Sequence, residues 1–261
     1  MRNYQAVEKV SQAIIADGLC QAILLTGSMG RGEEDAYSDV DMCVVVKKEN
    51  FDCFLHKRQA YIEAYLPTIM VQEVNFVAPQ LAAVYEDGLH FDLYSVTAEK
   101  LPLSGAVKVI YDPENLCKDW EDGKEAIAKH IAPENLISLF EDTLYYIVEA
   151  NSAYCRKNYP WAARILSNAL SNCSILLRWL YDREHAGWGL KQIHRILPSE
   201  QYQWLLVASE HLNCPGFQTA GNYILKMLEF VAERIEPDVK VHLNLRFLDW
   251  VRQSLGTRLF Y

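Results

Sequence analysis

Two aspartates two positions apart, set just behind a glycine-rich turn, limit what this chain can fold into more than any other feature of its 261 residues. The stretch runs Leu25-Thr26-Gly27-Ser28-Met29-Gly30-Arg31-Gly32 and continues through Glu33 to Ser38 into Asp39-Val40-Asp41. Gln21 to Thr26 is apolar enough to read as a buried strand, and Val40 to Val46 reads as a second one. Between them the glycines let backbone approach a ligand with no Cβ in the way. Asp39 and Asp41 then stand at the entrance of the second strand. Side chains alternate along a strand, so an i, i+2 pair projects from one face with Cα atoms ~7 Å apart. Two carboxylates so placed can share divalent cations, and the arrangement predicts metal-assisted phosphate chemistry.

A third carboxylate strengthens this reading. In His90-Phe91-Asp92-Leu93-Tyr94, Asp92 interrupts an apolar strand, where a charge must be paired, hydrogen-bonded or on a metal. If this strand lies beside the one that carries Asp41, three carboxylates converge. The structural alternative makes Asp92 the partner of a buried arginine, but the upstream turn and aspartate pair favour the metal role. Period two puts His90 on the same strand face as Asp92. Its imidazole titrates in the range a general base needs, although a lone histidine beside an apolar strand is ordinarily a hydrogen-bonded structural residue.

Taken in order, residues 4–18 carry Val7, Val10, Ile14 and Ile15 at helical spacing and stop at Gly18. After the strand-turn-strand unit, Phe51 to Tyr65 reads as a helix closed by Leu66-Pro67. Thr68 to Phe76 and Leu89 to Val96 read as strands, with a short helix or a loop over Pro79 to Asp87 between them. A last strand is predicted at Val107 to Tyr111. Near residues 112–132 strand signals vanish and helical periodicity takes over. Helices are predicted over Pro133 to Lys157 and Pro160 to His185, in shorter pieces around 190–197 and 199–212, then over Gln218 to Ile235 and Val239 to Leu255. The fold class predicted is an α/β (α+β) domain with a mixed sheet over residues 1–115, followed by an all-α helix bundle over residues 116–261.

Composition narrows the function. The formal net charge is −9, whereas a nucleic-acid groove needs a basic stripe. Residues 1–112 hold nine Lys/Arg against sixteen Asp/Glu, so the acidic excess lies in the part that carries the aspartate pair, as suits a site completed by cations. Acidic surface also serves solubility. No apolar run approaches the ~20 residues that cross a bilayer. The start, Met1-Arg2-Asn3-Tyr4-Gln5, has no signal-peptide core, so a cytoplasmic protein with no membrane partner is expected. The seven cysteines are scattered and never spaced C-x-x-C, which predicts small core residues rather than disulfides or structural zinc.

Gly27-Ser28, the Asp39-Val40-Asp41 pair and a later strand aspartate at Asp92 together resemble the polymerase-β-like nucleotidyltransferase superfamily. The longer run from Gly27 to Asp41, read as G-S-x-x-R-G-E-x-D-x-Y-S-D-x-D, is similar to the lincosamide and aminoglycoside antibiotic nucleotidyltransferases. Those enzymes place a helical domain after the catalytic one. The resemblance implies transfer of a nucleoside monophosphate, AMP from ATP or another NTP, to a hydroxyl of a small molecule such as a lincosamide or aminoglycoside, and hence a role in antibiotic resistance. It further implies two Mg²⁺ ions on Asp39 and Asp41, with Asp92 holding the ion nearer the acceptor. Gly27 and Ser28 are implied to contact the β- and γ-phosphates. Arg31 is implied as a phosphate contact, with pairing to Glu33 or Asp35 as its alternative.

The general base stays open among Asp92, His90, Glu141 and Asp142, because some relatives use a helical-domain glutamate. Tyr145, Tyr146, Trp161, Trp179 and Trp188 are expected mostly in the core of the bundle, with two or three left to stack on a substrate ring. A homodimer is expected by the same resemblance. Two other functions compete: transfer to a protein hydroxyl, and a non-catalytic nucleotide-binding dimer. A site relieved of metal work has no reason to keep three mutually repelling carboxylates, and pyrophosphate release separates an enzyme from a binder.

Overall fold

Strict alternation along three strands decides how the N-terminal part of the chain is layered. The computed structural model describes residues 1–75, 78–101, 105–118 and 131–255, and the chain divides into two units, Met1–Ala126 and Ile127–Tyr261. The first unit runs α1 (Arg2–Asp17), β1 (Cys20–Leu25), a five-residue α2 (Gly27–Arg31), β2 (Val40–Val46), α3 (Phe51–Ile62), β3 (Thr68–Asn75), β4 (Pro79–Tyr85), β5 (His90–Val96) and β6 (Lys108–Tyr111). These strands form a mixed sheet in the order β3-β4-β5-β2-β1-β6. β2 and β5 pair in parallel, and the other neighbours pair antiparallel.

One face of the sheet is apolar and covered. Ile23, Leu25, Met42, Val44, Phe91 and Leu93 bury there with Val7, Val10 and Ile14 of α1 and Phe54 and Ile62 of α3. Each such side chain contributes ~1.5–3 kcal/mol of transfer free energy. A polar latch ties the two covering helices together: Asp17 accepts hydrogen bonds from Lys57 Nζ at 2.7 Å and from Tyr61 Oη at 2.5 Å. The bond from Lys57, and then that from Tyr61, hold the Asp17 carboxyl below its usual range. On the opposite face Leu24, Cys43, Val45 and Val96 gather with Ala22 and Leu101 into a smaller cluster, and the odd-numbered neighbour of Cys43 on β2 is Asp41.

Residues 79–87, predicted as a short helix or a loop, are instead strand β4 and its turn. Leu81, Ala82 and Ala83 are buried in the sheet interior between β3 and β5, so the run shows no polar alternation to mark it as a strand. The signal that does mark it is Asp87-Gly88, a hairpin dipeptide. Gly88 has φ 77°, its N–H donates to Tyr85 O at 2.9 Å, and Tyr85 N–H donates to Leu89 O at 2.9 Å. Phe76, predicted at the end of the preceding strand, lies outside the described residues.

The second unit is helical: α4 (Pro133–Cys155), α5 (Tyr159–Trp179), α6 (Ser199–Glu210), α7 (Phe217–Arg234), α8 (Pro237–Lys240) and α9 (Leu245–Ser254). Leu136, Phe140, Leu144 and Ile147 of α4 pack with Ile165, Leu166, Ala169 and Cys173 of α5 and with Ile224, Leu228 and Val231 of α7. The helix predicted to reach His185 stops at Trp179. There the buried Arg178 guanidinium bonds Asp182 and the carbonyls of Gly189 and Lys191, which draws the following segment back against the helix end. The piece predicted around 190–197 is a single 3₁₀ turn at Ile193–Arg195. The helix predicted over 239–255 is divided, because Asn244 caps a new helix by accepting from Phe247 N–H at 3.0 Å. Trp179 is buried, whereas Tyr145 and Trp161 are exposed. No helix among the described residues is long and apolar enough to cross a membrane.

Candidate active site

The glycine turn is a single turn of helix stitched to the entrance of β2. Thr26 N–H donates to Asp41 O at 2.9 Å, so the start of α2 and the second aspartate are held together through the backbone. Gly27 has φ +60°, and a Cβ built on it would meet Asp41 Oδ2 at 2.0 Å. Only glycine lets the Asp41 carboxylate rest against this backbone. At Gly30 a Cβ would lie 2.5 Å from Ala106 O, so α2 is also packed tightly on the segment leading to β6. Ser28 Oγ, on the same turn, is buried and has no hydrogen-bond partner among the described residues.

The parallel pairing then assembles the carboxylates. In the β2–β5 register Asp41 stands opposite Asp92, and on the other side of β5 Asp92 faces Ala82 of β4. A small side chain at Ala82 leaves the β4 flank of the carboxylate open. Asp39 lies one residue before β2. Ligand atoms of Asp39, His90 and Asp92 all lie within 4.8 Å of one another. Asp92 is 9% exposed, and its Oδ1 is buried without a hydrogen-bond partner among the described residues. His90 Nε2 is 3.5 Å from that atom, too long for a good hydrogen bond. The buried-arginine alternative for Asp92 therefore fails, since among the described residues no arginine lies within ion-pair distance of it and its side-chain neighbour is His90. Two carboxylates and an imidazole around an orphaned oxygen are a donor set that fits a divalent cation. Asp41 is outside this group of three, its side chain being turned against Gly27.

Tyr94 belongs to the same face, two residues beyond Asp92 and opposite Cys43 and Gln80. Burial pushes its phenol pKa up, and the negative charges of Asp41, Asp92 and Asp39 push it further. The phenol thus stays protonated as a donor beside three carboxylates. With Thr26, Cys43, Phe51, Val96 and Lys100 it lines a cavity of about 830 Å³, a volume in the range of small-molecule sites. Burial, with a smaller contribution from Cys117, raises the Cys43 thiol to about 12, which leaves it inert as a nucleophile. Sequence reasoning left Tyr94 without a role, although period two from Asp92 was enough to put it on this face.

The remaining candidates are dispersed. Arg31 Nε bonds Glu33 Oε2 at 2.9 Å, the pairing weighed against a phosphate contact. Glu141 and Asp142 are both exposed on α4.

Residues 7–113 match the sequence profile of a family described as "Nucleotidyltransferase domain". Among curated protein sequences there is no match. A solved structure described as an aminoglycoside 6-adenyltransferase from Bacillus subtilis is similar over 96% of this chain and 99% of its own, with 12% sequence identity and a TM-score of 0.34.

Proposed function

We propose that this chain, whose residues 7–113 match the nucleotidyltransferase domain family, is an enzyme that moves AMP from ATP to a hydroxyl of a small molecule, with lincosamides and aminoglycosides as the acceptor classes the Gly27–Asp41 motif favours. The observation that carries the reading is the parallel register that sets Asp41 opposite Asp92, beside a turn whose Gly27 yields its Cβ space to the Asp41 carboxylate. In this reaction the acceptor oxygen forms a bond to the α-phosphorus, the bond from that phosphorus to the bridging oxygen breaks, and pyrophosphate leaves with the electron pair. Little covalent help is needed; reactants must be held in line while charge is neutralised. Asp39 and Asp92, with Asp41 opposite Asp92 on the paired strand, would hold a divalent cation such as Mg²⁺, which when bound neutralises phosphate charge and acidifies the acceptor hydroxyl.

The chain's own residues do the rest. Gly27 and Ser28 present the turn and the orphaned Ser28 hydroxyl to the β- and γ-phosphates. The Asp92 carboxylate takes the acceptor proton. The phenol of Tyr94, whose pKa burial raises, donates to oxygen on the substrate side of the carboxylates. The test is pyrophosphate release from ATP, in the presence of Mg²⁺ and a pooled set of aminoglycosides and lincosamides, by the wild-type chain and by Asp41→Asn. Turnover in the wild type that falls by roughly 10³-fold in the variant is expected; equal turnover in both removes the mechanism.

A further inference from the structure

Three carboxylates would make an all-oxygen site, yet the group that converges in this fold is two carboxylates and an imidazole. Asp39, His90 and Asp92 bring their ligand atoms within 4.8 Å of one another, and Asp41 is not part of that group. Two ligands on opposite sides of one divalent ion stand about 4.2 Å apart, given bonds of about 2.1 Å, so small side-chain movements close the three around a single ion. Their burial is graded. Asp92 is 9% exposed with an orphaned Oδ1, while the side chain of His90 is 47% exposed, so an ion has a deep anchor and an open approach past the imidazole. The two carboxylates compensate a divalent cation, and an imidazole in place of a third carboxylate adds no further negative charge beside Asp41.

We propose that Asp39, His90 and Asp92 form a mixed nitrogen and oxygen site that selects a first-row transition ion such as Mn²⁺ over Mg²⁺, with His90 acting as a ligand and not as the general base. This deepens the nucleotidyltransferase reading by naming the metal its site prefers, and it rests on that reading only for the ion's purpose. The physical reason is ligand type. Mg²⁺ demands oxygen and sheds its water reluctantly, whereas imidazole nitrogen suits the transition ions.

The experiment is pulsed electron paramagnetic resonance (electron spin echo envelope modulation) of Mn²⁺ bound to the full chain without nucleotide or acceptor, with parallel Mn²⁺ and Mg²⁺ titrations. Nitrogen hyperfine coupling in the wild-type spectrum, lost in His90→Ala, is expected, together with Mn²⁺ binding weakened about 10–100-fold and Mg²⁺ binding far less affected. His90→Gln, which keeps size and polarity, serves as the second variant and loses the coupling in the same way. A wild-type spectrum with no nitrogen coupling overturns the proposal, and so does coupling that survives either substitution. Coupling without pyrophosphate release would sink the enzyme reading alone, and Mg²⁺-supported release without coupling would sink the metal site alone.

Discussion

Phe91 and Asp92 are adjacent on β5 and face opposite layers, and the contrast between them runs through the whole sheet. Phe91 is fully buried, its ring edge-on to Tyr85 at 6.0 Å, within the apolar cluster of the covered face. Asp92 looks across to Asp41, a like charge in register, which costs stability wherever no cation lies between them. The covered face is optimised to stay folded. The other face keeps an arrangement that folding alone would not favour, which is what a binding function requires of it.

That contrast can be broken most forcefully from the covered side. Phe91→Ala should lower unfolding free energy by about 3–5 kcal/mol, read by urea denaturation, while the fraction that remains folded keeps its metal binding. A variant folded as stably as the wild type would mean that this face is not the structural one. Gly27→Ala sharpens the boundary between the faces. A residue held at φ +60° costs about 1–2 kcal/mol, and the new Cβ overlaps Asp41 Oδ2. The carboxylate must shift, and a loss of activity of about 10²-fold is expected, with a thermal midpoint that falls only modestly.

The smallest effect belongs to the latch over the covered face. The Asp17 carboxyl is depressed by its bonds from Lys57 and Tyr61, so its contribution is present above the unfolded value and is lost as pH falls through the folded one. Below about pH 4 the latch weakens. Asp17→Asn should therefore be slightly less stable than the wild type at neutral pH and indistinguishable from it in acid, as urea midpoints across pH would show. A constant gap at all pH would remove the latch from the account.

Much of this was legible in the sequence where one signal sufficed. β2 was read over Val40 to Val46 because its apolar run is bounded by an acidic turn and by Lys47-Lys48, and α1 because its spacing ends at Gly18. β4 was missed because Leu81, Ala82 and Ala83 are buried on a central strand and do not alternate, though Asp87-Gly88 announced the hairpin. The overrun of α5 had a different cause. Leu180 keeps the helical period, but the buried Arg178 needs carbonyl partners, and only the folded chain reveals where they come from. For the site, period two puts His90 and Asp92 on one face of β5, but it also pairs Asp39 with Asp41, whereas Asp39 gathers with His90 and Asp92 and the Asp41 side chain turns against Gly27. The pairing of β2 with β5, and the register that sets Asp41 against Asp92, depend on a crossover through α3, β3 and β4, and no local pattern encodes that.

The same crossover carries a kinetic consequence. Parallel neighbours cannot be joined by a tight turn, so the strand with Asp41 must wait until α3 and the β3–β4–β5 meander have been made and brought round beside it. Closing so long a loop is among the later and slower events available to a domain of this kind. The cation site is consequently a product of near-complete folding: a nascent or partly refolded chain can be rich in helix and hairpin and still have nothing with which to hold an ion.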